Sequence, residues 1–444
     1  METNDNLKNR ESQVSKAKAD LERATEEFEN DLFQGVLSSL SSGFRNDIDF
    51  IPLYELAAKC FEKLEAIEEA DLFHKALKTP KKTESFREIG THFYKVGHYD
   101  LALPFLEKAV EIDPSRSDTV HVLAIVYSRR FQINKAVKLI EKNIPQHDFW
   151  DFWLWCKLRI LAGKTQGVRK DLNMLISVLD KEKNQDKVEI PKQKVEEVLE
   201  ILLRYEQVIK PRTHIQDWHF IQYGDIILDY YESSDDDVAG GRYVAYWGTF
   251  DTIKPITVKL KTYIESLEIN IEKIACLGDR DSKILGLIIG LELGLQAQKY
   301  DPDELNRNTL IVGANSFDFN DNEELSVIKD GQVLFALNHD WLNPSSISPD
   351  IVGFMSQSYN FPWNGGGINV IDFEKGLTER NIKDERSEEE IAKDVYNEKV
   401  EIELNKGQLE FYLSKKEYLK AIGSKVNKYR SCFMIESPVP GFYF

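Results

Sequence analysis

The residues best placed to do chemistry lie in one short stretch, Ile274-Ala-Cys-Leu-Gly-Asp-Arg-Asp-Ser-Lys. An apolar run that reads as a buried strand enters the polar loop 278–282, and an apolar helix follows to about residue 295. Ser282 is of a type that caps helices. In open parallel sheets, ligands bind where a strand's carboxyl end meets a helix's amino end, and the free amides there favour phosphate or carboxylate. Arg280 would add a charge-assisted contact. Asp279 and Asp281 oppose an anion unless a metal intervenes. The plain alternative is a connecting loop with an Asp/Ser cap, and the residues leave both readings open. Asp318, past the next strand, joins Asp279, Arg280, Asp281 and Ser282 as a candidate ligand-binding residue.

Two other places carry reactive or adhesive side chains. Asn338-His339-Asp340-Trp341 follows an apolar strand, and His339 and Asp340 are candidate catalytic residues, as a general base or a metal ligand. A structural histidine at a strand end is the alternative. Phe149, Trp150, Phe152, Trp153 and Trp155 crowd one short stretch. Trp150, Trp153 and Trp155 are candidate anchors for a protein partner, or else core. The loop 357–367 is uncharged, aromatic and glycine-rich, and is expected to be a lid or an irregular connection. There is no P-loop, serine nucleophile elbow, His-Glu-x-x-His pair or dinucleotide fingerprint. Cys60, Cys156, Cys276 and Cys432 have no paired spacing, which predicts buried thiols and no zinc site. No metal is expected, and no cofactor is implied.

Composition bounds the class. The chain has 444 residues, 42% of them hydrophobic, enough for two or three domains with real cores. Its formal net charge is -18. From Pro211 onward there are 24 basic and 39 acidic side chains, so the second half holds most of the negative field. That disfavours sequence-independent contact with nucleic acid. It leaves solubility, a basic protein partner or carboxylate-held metal as its meaning. The first twenty residues have no apolar core of a signal peptide, and no run approaches the roughly 20 apolar residues of a membrane span. A soluble, cytoplasmic protein is expected.

The elements that must position these residues differ between the halves. Residues 1–82 read as helices, one over 17–33 and another over 52–77. Residues 83–114 then carry a fixed pattern of sizes: Phe86, Ile89, Gly90 and Phe93 on one helix, Ala102, Leu106 and Ala109 on the next, and Pro114 as a stop. Small Gly90 and Ala102 let two helices cross closely, and the large residues fill the space beside the crossing. One period later Val120, Leu123, Ala124, Tyr127, Ala136 and Ile140 fall in register, with Arg130-Phe131 replacing the glycine of the turn. A third unit over 151–179 turns at Ala162-Gly163-Lys164, and 191–209 reads as a capping helix. The pattern resembles the tetratricopeptide repeat, whose period is about 34 residues. The resemblance implies stacked helix pairs with a concave face that takes a peptide or helix from a partner.

After residue 210, short apolar runs alternate with helices. Residues 226–231 and 242–247 are expected strands that pair with each other. Strands at 274–277, 309–313, 333–337 and 351–355 and helices over 256–267 and 282–295 predict a mostly parallel sheet covered on both faces. The strand-loop-helix at 274–295, ending in Leu293-Gly294, resembles the early part of phosphoribosyltransferase-like domains. That implies a ribose-phosphate ligand, although 309–321 lacks the family's adjacent acids and Thr/Gly loop. The expected architecture is therefore multidomain: N-terminal helices over 1–82, an all-α tetratricopeptide-like repeat over 83–210, an α/β domain over 211–375 and a charged helical extension over 376–444. The expected function is a scaffold that recruits a protein partner to an acidic α/β module. The alternative is an enzyme or sensor for a phosphorylated or nucleotide-like ligand. Self-association is a further expectation.

Overall fold

In the computed structural model the described residues are 4–79, 82–143, 148–182, 187–209, 215–230, 240–304, 307–343, 345–366, 368–372, 377–380, 382–422, 428–434, 436–439 and 441. The expected boundary at 210–211, the last residue of the strand expected over 226–231 and the acidic stretch 233–237 that follows it lie outside them. Contacts divide the chain into two units, Met1–Lys164 and Thr165–Phe444. The expected boundaries at 82 and 210 fall inside these units.

The first unit is a run of helices: α1 (Asn4–Glu29), α2 (Phe33–Asn46), α3 (Ile51–Lys63), α4 (Ile67–Lys78), α5 (Thr83–Lys95), α6 (Tyr99–Ile112), α7 (Ser117–Arg129), α8 (Ile133–Asn143) and α9 (Phe149–Leu161). One device makes the turn after each odd-numbered helix. Asp31, Glu65, Gly97, Phe131 and Gly163 all have positive φ, from 57° to 84°. The next residue donates back five positions, as in Ala66 N to Phe61 O, His98 N to Phe93 O, Gln132 N to Tyr127 O and Lys164 N to Arg159 O. This paired cap satisfies the last carbonyls of the helix and reverses the chain. The span 52–77, expected as one helix, is therefore two, divided at Glu65. Thr83 and Ser117 begin helices 34 residues apart, as do Tyr99 and Ile133. A tetratricopeptide-like helical repeat is present, and its helix pairs start well before residue 83.

Packing explains the sizes. A Cβ on Gly90 would sit 2.7 Å from Leu106 Cγ, so only glycine lets α5 and α6 close to this distance. Phe44, Phe73, Phe93 and Phe105 are buried in one ring cluster, with Phe44 stacked on Phe73 and the Phe44 and Phe105 centroids 4.8 Å apart. Each such ring contributes roughly 1.5–3 kcal/mol of transfer free energy.

The second unit begins with α10 (Val168–Leu179), α11 (Glu189–Glu206) and α12 (Ile215–Tyr223). It continues through β1 (Ile226–Ile227), β2 (Tyr243–Trp247), α13 (Phe250–Ser266), β3 (Lys273–Cys276), α14 (Arg280–Leu293), β4 (Ala297–Lys299), β5 (Thr309–Asn315), β6 (Gln332–Asp340) and β7 (Ile351–Asn360). It ends with β8 (Ile368–Asp372), β9 (Leu377–Arg380), α15 (Glu388–Asn397) and α16 (Lys406–Leu413). Seven strands form one parallel sheet in the order β4-β3-β5-β6-β7, with β1 and β2 both on the far side of β7. The expected pairing of 226–231 with 242–247 is corrected: each pairs with β7, Ile226 opposite Ile351 and Tyr243 opposite Ser356. β7 also runs on to Asn360, which removes the first residues of the expected loop at 357–367. β8 and β9 form a separate antiparallel pair.

Alternation along β3 separates the faces. Ile274 and Cys276 face α14, where a Cβ on Gly286 would strike Cys276 Sγ. Ala275 and Leu277 join Ile311, Leu334, Ala336, Phe319 and Leu325 in a second core layer. That layer is closed by the short turns Ser316–Asp321 and Glu323–Ser326, and Arg430 of the C-terminal segment donates to Leu325 O and Val327 O.

Candidate functional site

The strand order reverses between β3 and β5. The chain leaves β3 through α14 to β4 on one side, and β5 lies on the other. Such a reversal opens a crevice at the carboxyl ends of the two strands. The loop 278–282 and the turn after β5 meet there. Asp279 caps α14 by accepting from Ser282 N at 2.7 Å. Ser282 is buried, and its Oγ accepts from Ala314 N at 2.8 Å, which ties the loop to β5. Asp318 accepts from Asn315 N at 2.7 Å. Asp281 accepts from Trp363 Nε1 at 2.7 Å and Asn364 Nδ2 at 2.8 Å, so it anchors the segment 361–366. Arg280 donates to the carbonyls of Asp384 and Arg386.

The crevice is electrostatically negative. Burial raises the Asp318 carboxyl to about 6, with Asp279 and Asp281 adding to the rise. Burial also raises Asp281, against the hydrogen bonds from Trp363 and Asn364. Carboxylates this close resist joint ionisation and repel phosphate. Among the described residues, no group of three or more His, Cys, Asp or Glu is arranged to hold a metal ion.

His339 and Asp340 make their contacts elsewhere. Asp340 accepts from Leu342 N, Asn343 N and Asn343 Nδ2, closing the turn after β6. His339 is fully buried, its ring centroid 3.9 Å from Phe433 and 5.5 Å from His219. Burial pushes its pKa well below the ordinary imidazole value, and His219, Lys420 and Arg242 push it further. The neighbouring His219–Asp225 pair, 2.7 Å apart and buried, was not evident from the sequence. Its helix, α12, is buried on every side and so shows no polar face to betray a functional residue. The same holds for Arg430 and Asp350, whose partners lie 80 residues apart.

In the first unit, polar side-chain contacts join the odd-numbered helices. Arg87 on α5 reaches Asp118 on α7 at 3.6 Å, and His121 on α7 reaches Asp151 on α9 at 2.6 Å. Trp150 and Trp153 stand at the second and fifth positions of α9, where α5 has Glu84 and Arg87 and α7 has Asp118 and His121. Trp150 is 40% exposed, and its ring meets Trp153 edge-on at 5.9 Å. Trp153 and Trp155 are half-buried, with the Lys157 ammonium over Trp153 and the Arg159 guanidinium over Trp155. Asp148 caps the helix at Trp150 N.

No protein-family model matches the chain, and no curated protein matches it; the phosphoribosyltransferase-like resemblance gains no support. Solved structures similar to part of it include a MamA protein labelled AMB-1, at 13% identity over 40% of this chain and 97% of that one, with a TM-score of 0.25. Another is YrrB, described as a tetratricopeptide-repeat protein with an unusual peptide-binding site, at 19% identity over 36% and 84%, TM-score 0.24. A third is MamA from Desulfovibrio magneticus RS-1, at 18% identity over 38% and 98%, TM-score 0.25. Among the described residues, no helix is long and apolar enough to cross a membrane.

Proposed function

We propose that the chain is a protein-interaction scaffold whose helical repeat captures a partner on the face built by α5, α7 and α9. The observation that carries this reading is the juxtaposition on that face of a half-exposed tryptophan pair, Trp150 and Trp153, with the polar contacts that join α5 to α7 and α7 to α9. Aromatic anchors beside paired charges favour a peptide or helix over a small molecule. The acidic α/β unit would be carried to that partner. The test uses the full chain as bait in lysate of its source cell, beside W150A/W153A. A protein retained by the parent chain and lost from the folded variant is expected. Equal retention by both chains, or none by the parent, overturns the reading.

A second reading gives the α/β unit a phosphorylated or nucleotide-like ligand of its own. The strand reversal at β3 and β5 favours it, and the three carboxylates require a cation to go with it. Thermal unfolding with and without a magnesium nucleotide decides it: a rise of a few degrees supports binding, and an unmoved transition removes it.

A further inference from the structure

The second unit hides a group of imidazoles that the readings above do not use. His219 Nδ1 faces both carboxylate oxygens of Asp225, at 2.8 and 2.7 Å. Its Nε2 has no hydrogen-bond partner among the described residues, and neither ring nitrogen of His339 has one. Both side chains are buried, at 2% and 0% exposure. A buried polar atom without a partner is rare, and several together call for a molecule that satisfies them. Beside them lies a cavity lined by His219, Gln222, Arg242, Trp341, Phe433 and Glu436. Its volume of about 10 Å³ is that of one water at most.

Phe433 closes it. The ring lies 5.8 Å from His219 and 5.4 Å from Tyr223, tilted against both, and 3.9 Å from His339 in an edge-on contact, so three aromatic rings enclose one flat guest. The segment that carries it is tied down through its backbone. Phe433 N donates to Ser345 O, Tyr223 Oη to Met434 O, Gln222 Nε2 to Glu436 O and Arg242 to Val439 O. Side chains therefore hold the segment, while its own guest ring offers nothing to the histidines it touches.

We propose that this cage is a closed binding site for a heteroaromatic ring, and that Phe433 occupies the place of that ring. A ring with nitrogen or carbonyl edges keeps these ring contacts and supplies a hydrogen-bond partner that His339 lacks. Neutral His339 presents one N–H and one bare nitrogen on opposite sides of its ring, so a guest's ring nitrogen or N–H can pair with one of them. The tethered phenylalanine competes at high effective concentration, so the intact chain binds weakly and a chain without the ring binds well.

The test uses the full chain with Phe433→Ala, titrated calorimetrically with purine and with indene, its apolar counterpart of the same shape. The expected result is purine binding at least about tenfold tighter than indene, with that preference lost when His339→Phe is added. Equal affinities would show an ordinary cavity and overturn the site, as would no binding of either. Should the alanine chain not fold, the parent chain decides it. With histidine nitrogens labelled, saturating purine shifts the ring signals of His339 and speeds amide exchange at Phe433 and Met434. Unmoved histidine signals, the outcome expected of an internal water alone, overturn it equally.

Discussion

Gly97 and Phe131 hold the same left-handed backbone conformation, at φ 84° and 57°, in turns 34 residues apart. One is the residue type the turn prefers, and the other is bulky. Phe131 nonetheless makes the same pair of cap hydrogen bonds, its own N–H to Ser128 O and that of Gln132 to Tyr127 O. The helix pairs on either side therefore impose the turn, and the residue in it adapts at a cost of about 1–2 kcal/mol.

That relationship predicts different outcomes for two glycines of one repeat unit. A Cβ on Gly97 meets nothing within 4 Å, so Gly97→Ala costs only the left-handed strain, about 1 kcal/mol. A Cβ on Gly90 meets Leu106 Cγ at 2.7 Å and Leu106 N at 3.1 Å, so Gly90→Ala forces α5 and α6 apart and costs about 1–3 kcal/mol. Asparagine, which tolerates the left-handed region, restores stability at 97 and worsens it at 90. Urea denaturation of the four variants measures this, and equal costs at both positions would show that the crossing is not tight.

The same turns explain how much of the fold could be read from sequence. Residues 83–114 were legible because Gly97 and Pro114 mark the ends and the small residues sit at the crossing. The pairs before them were not, because Asp31 and Glu65 take the left-handed place and no glycine marks it. The strand-loop-helix at 274–295 was legible through its switch from an apolar strand to a capped helix. The roles of its side chains were not, since the partners of Arg280 and Asp281 come from about 80 to 106 residues away. His219 and Asp225 were invisible because burial, and no local pattern, gives them meaning.

Asp318 predicts a stability that depends on pH. Burial chiefly, then Asp279 and Asp281, raise its carboxyl to about 6, above the unfolded value of about 3.9. Between these values the folded chain binds more protons, so stability falls as pH rises through 6. Asp318→Asn keeps an acceptor for Asn315 N and removes the charge. It is expected to stabilise the chain at pH 7 by roughly 1–2 kcal/mol, discounted for partial exposure. The gain disappears by about pH 4 in denaturation curves taken across that range. A gain independent of pH would refute the electrostatic cause.

Lys420 predicts the opposite slope at alkaline pH. Its ammonium donates to Ser348 O, Ser348 Oγ and Pro349 O in a fully buried site. Burial lowers its pKa to about 8, against the pull of Asp225 and Asp350. The unfolded lysine titrates near 10.4, so between these values the unfolded chain holds more protons and stability rises with pH. Relative to Lys420→Met, the parent chain gains up to about 1.4 kcal/mol per pH unit over that window. Tyrosine ionisation is common to both chains and cancels in the difference. A flat difference from pH 8 to 10.5 would mean that the lysine keeps its ordinary pKa.

The C-terminal segment carries two ion pairs whose contrast tests what holds it. Arg430 and Asp350 are both fully buried, with Arg430 Nε on Asp350 Oδ1 at 2.8 Å and Nη2 on Oδ2 at 2.7 Å. The guanidinium also donates to the carbonyls of Leu325, Val327 and Gln332, while Asp350 accepts from Leu334 N in β6. Arg430→Met strands a buried carboxylate and three carbonyls, a loss of about 3–5 kcal/mol. Lys428 and Glu196, 3.4 Å apart with the lysine 66% exposed, are worth under about 1 kcal/mol when Glu196→Gln removes the charge. Replacing Asp350 by asparagine in the Arg430→Met chain recovers part of the larger loss, because the stranded charge goes with it. Chemical denaturation gives the three values. Hydrogen exchange locates the damage, and the amides of Arg430 and Phe433, bound to Ser326 O and Ser345 O, are expected to lose protection before those of β5 and β6. Equal costs for the two pairs would mean that burial adds nothing to the Arg430 pair, and loss of protection across the whole sheet at once would mean that Arg430 holds the sheet itself and not the segment laid over it.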